Sequence, residues 1–245
     1  LTYDRAETKI PFYAVRLVNR GVFAPRVVRG APIFVDSVAI ALMSPSPGAE
    51  IHYTVDGTTP RLFAPVYQRP FTLTQTATVK ARSRYPDGTW SRVTTFGFAQ
   101  VTPREALPVD GALPGLEVDY FEQDGSWRTL PVFDSLAPKR TAITSVIGLA
   151  SAPRRENFGL RFRGLVRIPA TGVYGFSVSS DDGSRLAIDG QLVVVHDGIH
   201  GMSERSGWVA LSTGLHFFEL TYFQGCCGIG LTLEVQAPLG ARGPL

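Results

Sequence analysis

Two adjacent carboxylates, Asp181 and Asp182, are the residues of this sequence best suited to chemistry. Calcium is a hard cation that takes about 6–8 oxygen ligands, and two neighbouring carboxylates supply dense negative charge for it. Neighbouring side chains of an extended strand point to opposite faces, so the backbone must turn sharply for both to reach one ion. A cis peptide bond between them would provide such a turn. From the residues alone a solvated turn, where Asp is common, is the favoured interpretation of the pair, and a calcium site is the alternative.

The two cysteines of the chain are adjacent, at Cys226 and Cys227, so they cannot staple distant parts of the fold. A disulfide favours Cα atoms about 4.4–6.8 Å apart, whereas neighbours across a trans peptide bond are about 3.8 Å apart. A disulfide between them would stiffen its loop and is expected in an oxidising compartment, with two free thiols as the alternative. Because sulfur is a soft ligand, neither cysteine sulfur is expected to bind calcium.

Other polar and aromatic residues give weaker signals. His196 and His200 have no third metal ligand nearby in sequence, so a solvated loop is expected there. Asp189-Gly190 lies between two β-rich runs and predicts a hairpin turn. The chain has three tryptophans, Trp90, Trp127 and Trp208. Their rings could stack on sugars, although tryptophans are more often buried in a core. The sequence has no phosphate loop and no nucleophile elbow, so an enzyme is not predicted.

The composition favours a folded protein with many turns. Of the 245 residues 44% are apolar, which is enough for a core, and the 25 Gly and 18 Pro favour turns over long helices. A net charge of +3 is too small to predict nucleic-acid binding. No apolar run approaches the roughly 20 residues of a membrane span, so no transmembrane segment is expected. The sequence lacks an initial Met and a signal peptide, which indicates a processed or excised chain.

Short alternating runs separated by turn residues predict two β-modules. Residues 51–55 alternate and end at the turn pair Asp56-Gly57, and turns recur at a spacing typical of a β-sandwich. A second set of alternating runs begins near Glu117 and favours another sandwich or barrel. Residues 12–18 could form one further strand. The predicted division is an N-terminal segment of uncertain fold at 1–28, an Ig-like module at 29–101, a Pro/Gly-rich linker at 102–117, a second β-domain at 118–239 and a tail at 240–245.

Four runs in the first β-rich stretch follow one another in a characteristic order: residues 51–60, 64–67, 71–74 and 78–82. With them, residues from about 31 to 101 resemble the small Ig-like module at the C-terminus of chitobiase and β-hexosaminidases. In that family the module is an accessory domain without catalytic residues. The resemblance therefore implies an Ig-like β-sandwich with no catalytic role.

The second stretch carries a more specific ordered set: residues 118–121, 158–164, 172–176, 179–190 and 220–223. The run Ser179-Ser180-Asp181-Asp182-Gly183-Ser184 is its most distinctive part. With this set, residues from about 118 to 237 resemble the PA14 domain, a β-barrel-like module of adhesins, flocculins and glycosidases. The expected fold class is therefore all-β, an Ig-like β-sandwich followed by a PA14-type β-sandwich or barrel.

Flocculin-like members of that family hold calcium with an Asp-Asp pair joined by a cis bond and with a second loop. The resemblance implies that Asp181 and Asp182 bind calcium together with the side chain of Gln224 and the backbone carbonyls of Cys226 and Gly228. Gln224 stands where the family has Asn, and its side chain is one methylene longer. The calcium would then coordinate sugar hydroxyls, and the expected ligand-binding residues are Asp181, Asp182, Gln224 and Cys227.

These features predict a non-catalytic, extracytoplasmic protein, whether secreted, on the cell surface or periplasmic. It would bind a carbohydrate or glycoprotein surface through calcium, in adhesion or as an accessory part of a surface protein or glycosidase. Other protein subunits are further expected partners, and nucleic acid is not. The alternatives are a structural or interaction subunit of a larger extracytoplasmic complex without sugar binding, and a fragment of an enzyme whose catalytic domain lies upstream.

Overall fold

The computed structural model describes residues 23–125, 127–238 and 240–245. The regular secondary structure of these residues is almost entirely β-strand, and their helical structure is one short 3-10 turn at Phe133–Ser135. The predicted all-β fold is confirmed. The described residues contain no helix that is long and apolar enough to cross a membrane. The strand predicted at residues 12–18 and most of the predicted N-terminal segment lie outside the described residues.

Strands β1 to β7 form the N-terminal module, in two sheets of strand order β1-β3-β5 and β2-β7-β6-β4. Val79 and Ala81 are 0% exposed and alternate along one strand with the more accessible Lys80 and Arg82, so one face of that strand is buried. The apolar faces of the two sheets enclose one core. The strands are β1 Arg26–Arg29, β2 Ile33–Phe34, β3 Val38–Met43, β4 Glu50–Thr54, β5 Phe71–Leu73, β6 Ala77–Arg84 and β7 Thr94–Gln100.

Strands β8 to β17 form the C-terminal module, in a sheet of order β13-β12-β15-β10-β8-β9 and a sheet of order β14-β11-β16-β17. Phe158, Phe162, Phe176 and Phe218 are 0% exposed between the two sheets, as expected for alternating strands of a sandwich. The strands are β8 Leu116–Glu122, β9 Arg140–Thr144, β10 Phe158–Ile168, β11 Gly172–Asp181, β12 Ser184–Ile188, β13 Gln191–His196, β14 Ser203–Leu211, β15 Gly214–Gln224, β16 Gly230–Gln236 and β17 Arg242–Pro244.

The Pro/Gly-rich stretch predicted as a linker is attached to the C-terminal module. Arg104 N–H donates to Ala210 O at 2.9 Å, and Leu107 N–H donates to Leu215 O at 2.8 Å. The Arg104 guanidinium also donates to Gln191 Oε1 at 2.7 Å. These backbone bonds add short bridges beside β14 and β15, even though this stretch is rich in proline, which cannot donate to a ladder. Residues 104–107 therefore do not form a free linker.

The hairpin turn predicted at Asp189-Gly190 is confirmed. Both residues have positive φ, 48° and 75°, which the type I′ turn requires, and they connect β12 directly to β13. The Asp189 carboxylate accepts the Phe217 N–H at 2.8 Å and contacts Nδ1 of the fully buried His216 at 2.7 Å. The turn is thereby bonded to the neighbouring strand β15.

Three of the loops that carry the chain from one sheet of the C-terminal module to the other lie at one end of it. They connect β11 to β12, β13 to β14, and β15 to β16. Strand register places Asp181 opposite Gly230, and Ser184 opposite both Tyr222 and His196. The three loops therefore meet at the same end of the sandwich, where the predicted site residues lie.

Candidate functional site

The Asp181-Asp182 pair forms the corner between β11 and β12. The peptide bond between the two residues is cis, as expected from the sequence. Both residues are buried, with 8% and 2% of their surfaces exposed, so the pair is not the solvated turn that the residues alone favour. The Asp182 carboxylate accepts backbone N–H groups from two other loops, from His200 to Oδ1 at 3.0 Å and from Gly225 to Oδ2 at 2.9 Å. Asp182 thus connects all three loops.

Within the part of the chain that the structure describes, the charge of the corner is not neutralised by a cationic side chain. Among the described residues no Lys, Arg or His forms an ion pair with Asp181 or Asp182. Burial, with the nearby charges of Asp182 and Asp181, raises the pKa of the Tyr222 phenol above its ordinary value. A buried carboxylate is costly unless it is paired with a cation or fully hydrogen-bonded. The corner is therefore an electrostatic environment that favours a bound cation.

The loop between β15 and β16 brings backbone oxygens to the same place. Gly228 lies so close to the Asp181 carboxylate that a Cβ at this position would clash with Oδ2 of that carboxylate. The carbonyls of Cys226 and Gly228 both accept hydrogen bonds from Gln224 Nε2, at 2.9 and 2.6 Å. The structure therefore brings together the five residues predicted to form the metal site.

Gln224 presents its amide nitrogen, and not its oxygen, to these two carbonyls. Its Oε1 accepts a hydrogen bond from the Tyr222 hydroxyl, which also faces Asp181 O at 2.5 Å. A hydroxyl carries one proton, so it cannot donate fully to two acceptors. Turning the Gln224 amide over would let Tyr222 donate to Asp181 O and accept from Nε2. The same turn would direct three oxygens at one another, an arrangement that needs a cation between them.

The sequence model of the PA14 domain family matches residues 113–238, slightly more than half of the chain. The chain belongs to the PA14 domain family. A second family model, described as Fn3 associated, matches residues 40–98 in the N-terminal module. The chitobiase-type identity predicted for that module stays a prediction. No curated protein matches the chain.

Solved structures of PA14 domains are similar to part of the chain. The PA14 domain of the antifreeze protein MpAFP is 18% identical, with 59% of this chain and 93% of that chain covered and a TM-score of 0.47. The PA14 sugar-binding domain of an RTX adhesin is 22% identical, with 55% and 96% covered and a TM-score of 0.46. The A domain of epithelial adhesin 9 from Candida glabrata, solved with Galβ1-3GlcNAc, is 13% identical, with 58% and 91% covered and a TM-score of 0.45.

The two cysteines of the PA14 domain are joined in a disulfide, with their Cα atoms 3.8 Å apart. Cys227 has a positive φ of 76°, which residues other than Gly rarely adopt. Both cysteines are exposed, whereas Gln224, at the end of the preceding strand β15, is fully buried. The loop therefore has its disulfide on the outside and its carbonyls against Gln224.

Sequence reasoning missed the residues of the PA14 domain that position the site. The Tyr222 hydroxyl contacts Asp181 O on one side of the site and Gln224 Oε1 on the other. The N–H groups of Gly225 and His200 hold the Asp182 carboxylate. The expectation of a solvated loop at His196 is wrong, since this residue is 7% exposed and its ring stacks on His200 at 3.8 Å. Alternation along β15 places Tyr222 and Gln224 on one face, but their partners depend on strand register, which the sequence does not give.

Proposed function

We propose that the PA14 domain binds carbohydrate through a calcium ion held at the Asp181-Asp182 corner. The protein ligands are the two carboxylates, the backbone carbonyls of Cys226 and Gly228, and Oε1 of Gln224 after its amide has turned over. The observation that carries the proposal is the meeting of two buried carboxylates, which have no cationic partner among the described residues, with two backbone carbonyls of another loop. Every donor in this set is an oxygen, which suits a hard cation.

Calcium suits this donor set better than a transition metal does. Carboxylate and carbonyl oxygens are typical of calcium sites, whereas zinc and copper sites use imidazole or thiolate. The rings of His196 and His200 stack on each other and bond to Ser203 and to backbone carbonyls. The cysteine sulfurs are joined to each other. When bound, calcium would offer its remaining coordination positions to hydroxyl oxygens of a sugar.

The exposed part of the second loop supports a sugar site at its rim. Cys226, Cys227 and Gly228 are exposed beside the buried carboxylates. Gly228 has no side chain, and this leaves the approach to Asp181 open. Cys227 would contact the sugar from this rim, and the disulfide would hold the loop in one shape, which limits the ordering cost of binding.

We infer a non-catalytic, extracytoplasmic role in adhesion or as an accessory part of a surface protein or glycosidase. The disulfide supports an oxidising compartment, since cytosolic thiols are kept reduced. The N-terminal module would serve as an Ig-like accessory domain of the chitobiase type, and the Fn3-associated match at residues 40–98 supports an accessory role.

A glycan array probed with the whole chain tests the sugar function. We expect binding in calcium that disappears with a chelator and returns when calcium is restored. The Asp182→Asn variant should bind no glycan in either buffer. Binding that is absent across the array, or insensitive to the chelator, would contradict the proposal and favour a structural subunit without sugar binding.

A further inference from the structure

The N-terminal module carries a row of cations on its four-stranded sheet. Lys80, Arg82 and Arg84 alternate along β6 with side chains of the core face. Those core-face residues, Val79, Ala81 and Ser83, are all 0% exposed. Because alternate residues of a strand share a face, the three cations lie in one line about 13 Å long on the outer face.

A fourth cation stands beside this row. The segment after β4 runs back along that strand, since Tyr67 N–H donates to Ile51 O at 2.8 Å and Tyr53 N–H donates to Pro65 O at 3.0 Å. This segment carries Arg61, which is exposed. Burial and the nearby charge of Arg61 lower the pKa of Arg82 below its ordinary value. The sheet face therefore holds like charges close together.

Trp90 orders two of these cations. The guanidinium carbon of Arg82 lies 3.8 Å from the centroid of the Trp90 ring, and that of Arg84 lies 5.6 Å from it. The His52 ring contacts the same indole edge-on, with centroids 4.9 Å apart. A guanidinium that stacks on an aromatic ring keeps its N–H donors in its own plane, where they can bind an anion in bidentate fashion.

Among the described residues, the cations of this module form no ion pair with a carboxylate. Residues 23–101 contain eight Lys and Arg against four Asp and Glu, and among the described residues none of these eight forms an ion pair. Glu50 pairs with Arg84 in strand register, but its carboxylate contacts His52 at 3.5 Å. In the C-terminal module, by contrast, Arg161 lies between Asp119 and Asp134.

We propose that Lys80, Arg82, Arg84 and Arg61 form a second ligand site, which binds an anionic polysaccharide carrying repeated sulfate or carboxylate groups. A linear row of donors fits a linear polymer with charges at intervals, and bidentate guanidinium groups suit sulfate and carboxylate. Single-stranded nucleic acid binds on open stacking rings, but Trp90 is covered by Arg82. The site is in another module and uses different chemistry from the proposed calcium site.

Biolayer interferometry with immobilised polymers tests this site on the whole chain. Heparin supplies sulfates, polygalacturonate supplies carboxylates, and dextran is the neutral control. A chelator in every buffer removes any contribution of calcium, so this test does not depend on the calcium proposal. The main variant is Arg61→Gln with Lys80→Gln, and the single Arg61→Gln variant in an exposed segment serves if the double variant fails to fold. The matched control is Arg26→Gln with Arg29→Gln, which removes two exposed charges from the other sheet of the same module.

We expect the wild type to bind heparin or polygalacturonate, but not dextran, with an affinity that falls as salt is raised. The main variant should bind at least about tenfold more weakly, since each lost cation removes a charge-assisted hydrogen bond. The control pair should bind within about twofold of the wild type. The proposal is overturned if the wild type binds neither heparin nor polygalacturonate, or if the control pair loses as much affinity as the main variant. It is also overturned if the wild type binds single-stranded DNA or phosphatidylserine vesicles more tightly than the two polysaccharides.

Discussion

The Asp182 carboxylate accepts the backbone N–H of Gly225 at 2.9 Å, although 43 positions separate the two residues in the sequence. This bond joins the corner that follows β11 to the loop that follows β15. The other carboxylate oxygen of Asp182 accepts the His200 N–H at 3.0 Å, so a single side chain fixes three loops. Each Asp182 oxygen therefore accepts one loop N–H and keeps a second lone pair for a cation, whereas Asp181 faces Gly228.

Gly228→Ala should weaken calcium binding without unfolding the domain. The added Cβ would clash with the Asp181 carboxylate, so either the carboxylate or the loop must move away. Calcium titration calorimetry should show a loss of at least about tenfold, as is usual when the ligands of a metal are displaced. The matched control is Gly201→Ala in the neighbouring loop, where a Cβ would meet nothing within 4 Å. Equal affinities for the two variants would show that Gly228 does not border the ion.

Tyr222→Phe should lower both stability and calcium affinity. The hydroxyl bonds Asp181 O and the Gln224 amide inside the protein, and its loss leaves buried polar groups without a partner, at a cost of about 1–3 kcal/mol. Urea unfolding in a chelator measures the first effect and calorimetry the second. Tyr174→Phe removes a buried hydroxyl that donates to Ala170 O, far along the same sandwich, and should reduce stability alone. A Tyr222→Phe variant with wild-type calcium affinity would mean that Gln224 needs no orienting partner.

The vicinal disulfide predicts a simple labelling pattern. Unfolded protein should take up no thiol reagent before reduction and two equivalents afterwards, because both cysteines are in the bond. Intact mass spectrometry should also show the gain of the two hydrogens of a dithiol. Labelling of unreduced protein would indicate two free thiols. Loss of glycan binding on reduction, with calcium binding kept, is the expected functional result.

Stability should fall with pH below neutrality, in part because of His196. Burial, together with the charges of His200 and Arg205, lowers the pKa of His196 in the folded protein. In the unfolded chain His196 has the ordinary histidine pKa of about 6.5. As pH falls below that pKa, the unfolded chain binds the proton more readily than the folded protein does. The free energy of unfolding therefore decreases until the pH has passed the lower pKa of the folded state. Between about pH 7 and about pH 5.5, the urea midpoint measured in the presence of a chelator should fall further for the wild type than for His196→Gln. Parallel changes in the two proteins would exclude His196 as a source of the pH dependence.

Features that depend on local sequence could be predicted. Alternation located most strands, as along β6, and Asp189-Gly190 has the residue types that its two-residue turn demands. The Asp181-Asp182 pair could be singled out as a candidate site because carboxylate density is visible in the sequence itself, but the resemblance to PA14 domains was needed to favour calcium over a solvated turn. The resemblance to PA14 domains added the second loop.

Features that depend on strand register could not be predicted. The bond between Asp182 and Gly225 exists because Asp181 pairs with Gly230, and nothing near either residue specifies that register. The same holds for Arg104, whose backbone joins the edge of β14 although its surroundings are rich in Pro and Gly. The burial of His196 follows from its pairing with Ser184 and not from its own neighbours in the sequence.

The central claim is that Asp181 and the second loop hold a calcium ion, and calorimetric titration of calcium into the chelator-treated protein tests it most directly. The matched variant is Asp181→Asn, which keeps the shape of the side chain and removes its charge. We predict a single binding event in the wild type and a loss of affinity of about a hundredfold or more in the variant, since a charged ligand has been removed. A wild type that shows neither heat nor thermal stabilisation with calcium, or an Asp181→Asn variant that binds as the wild type does, would contradict the account.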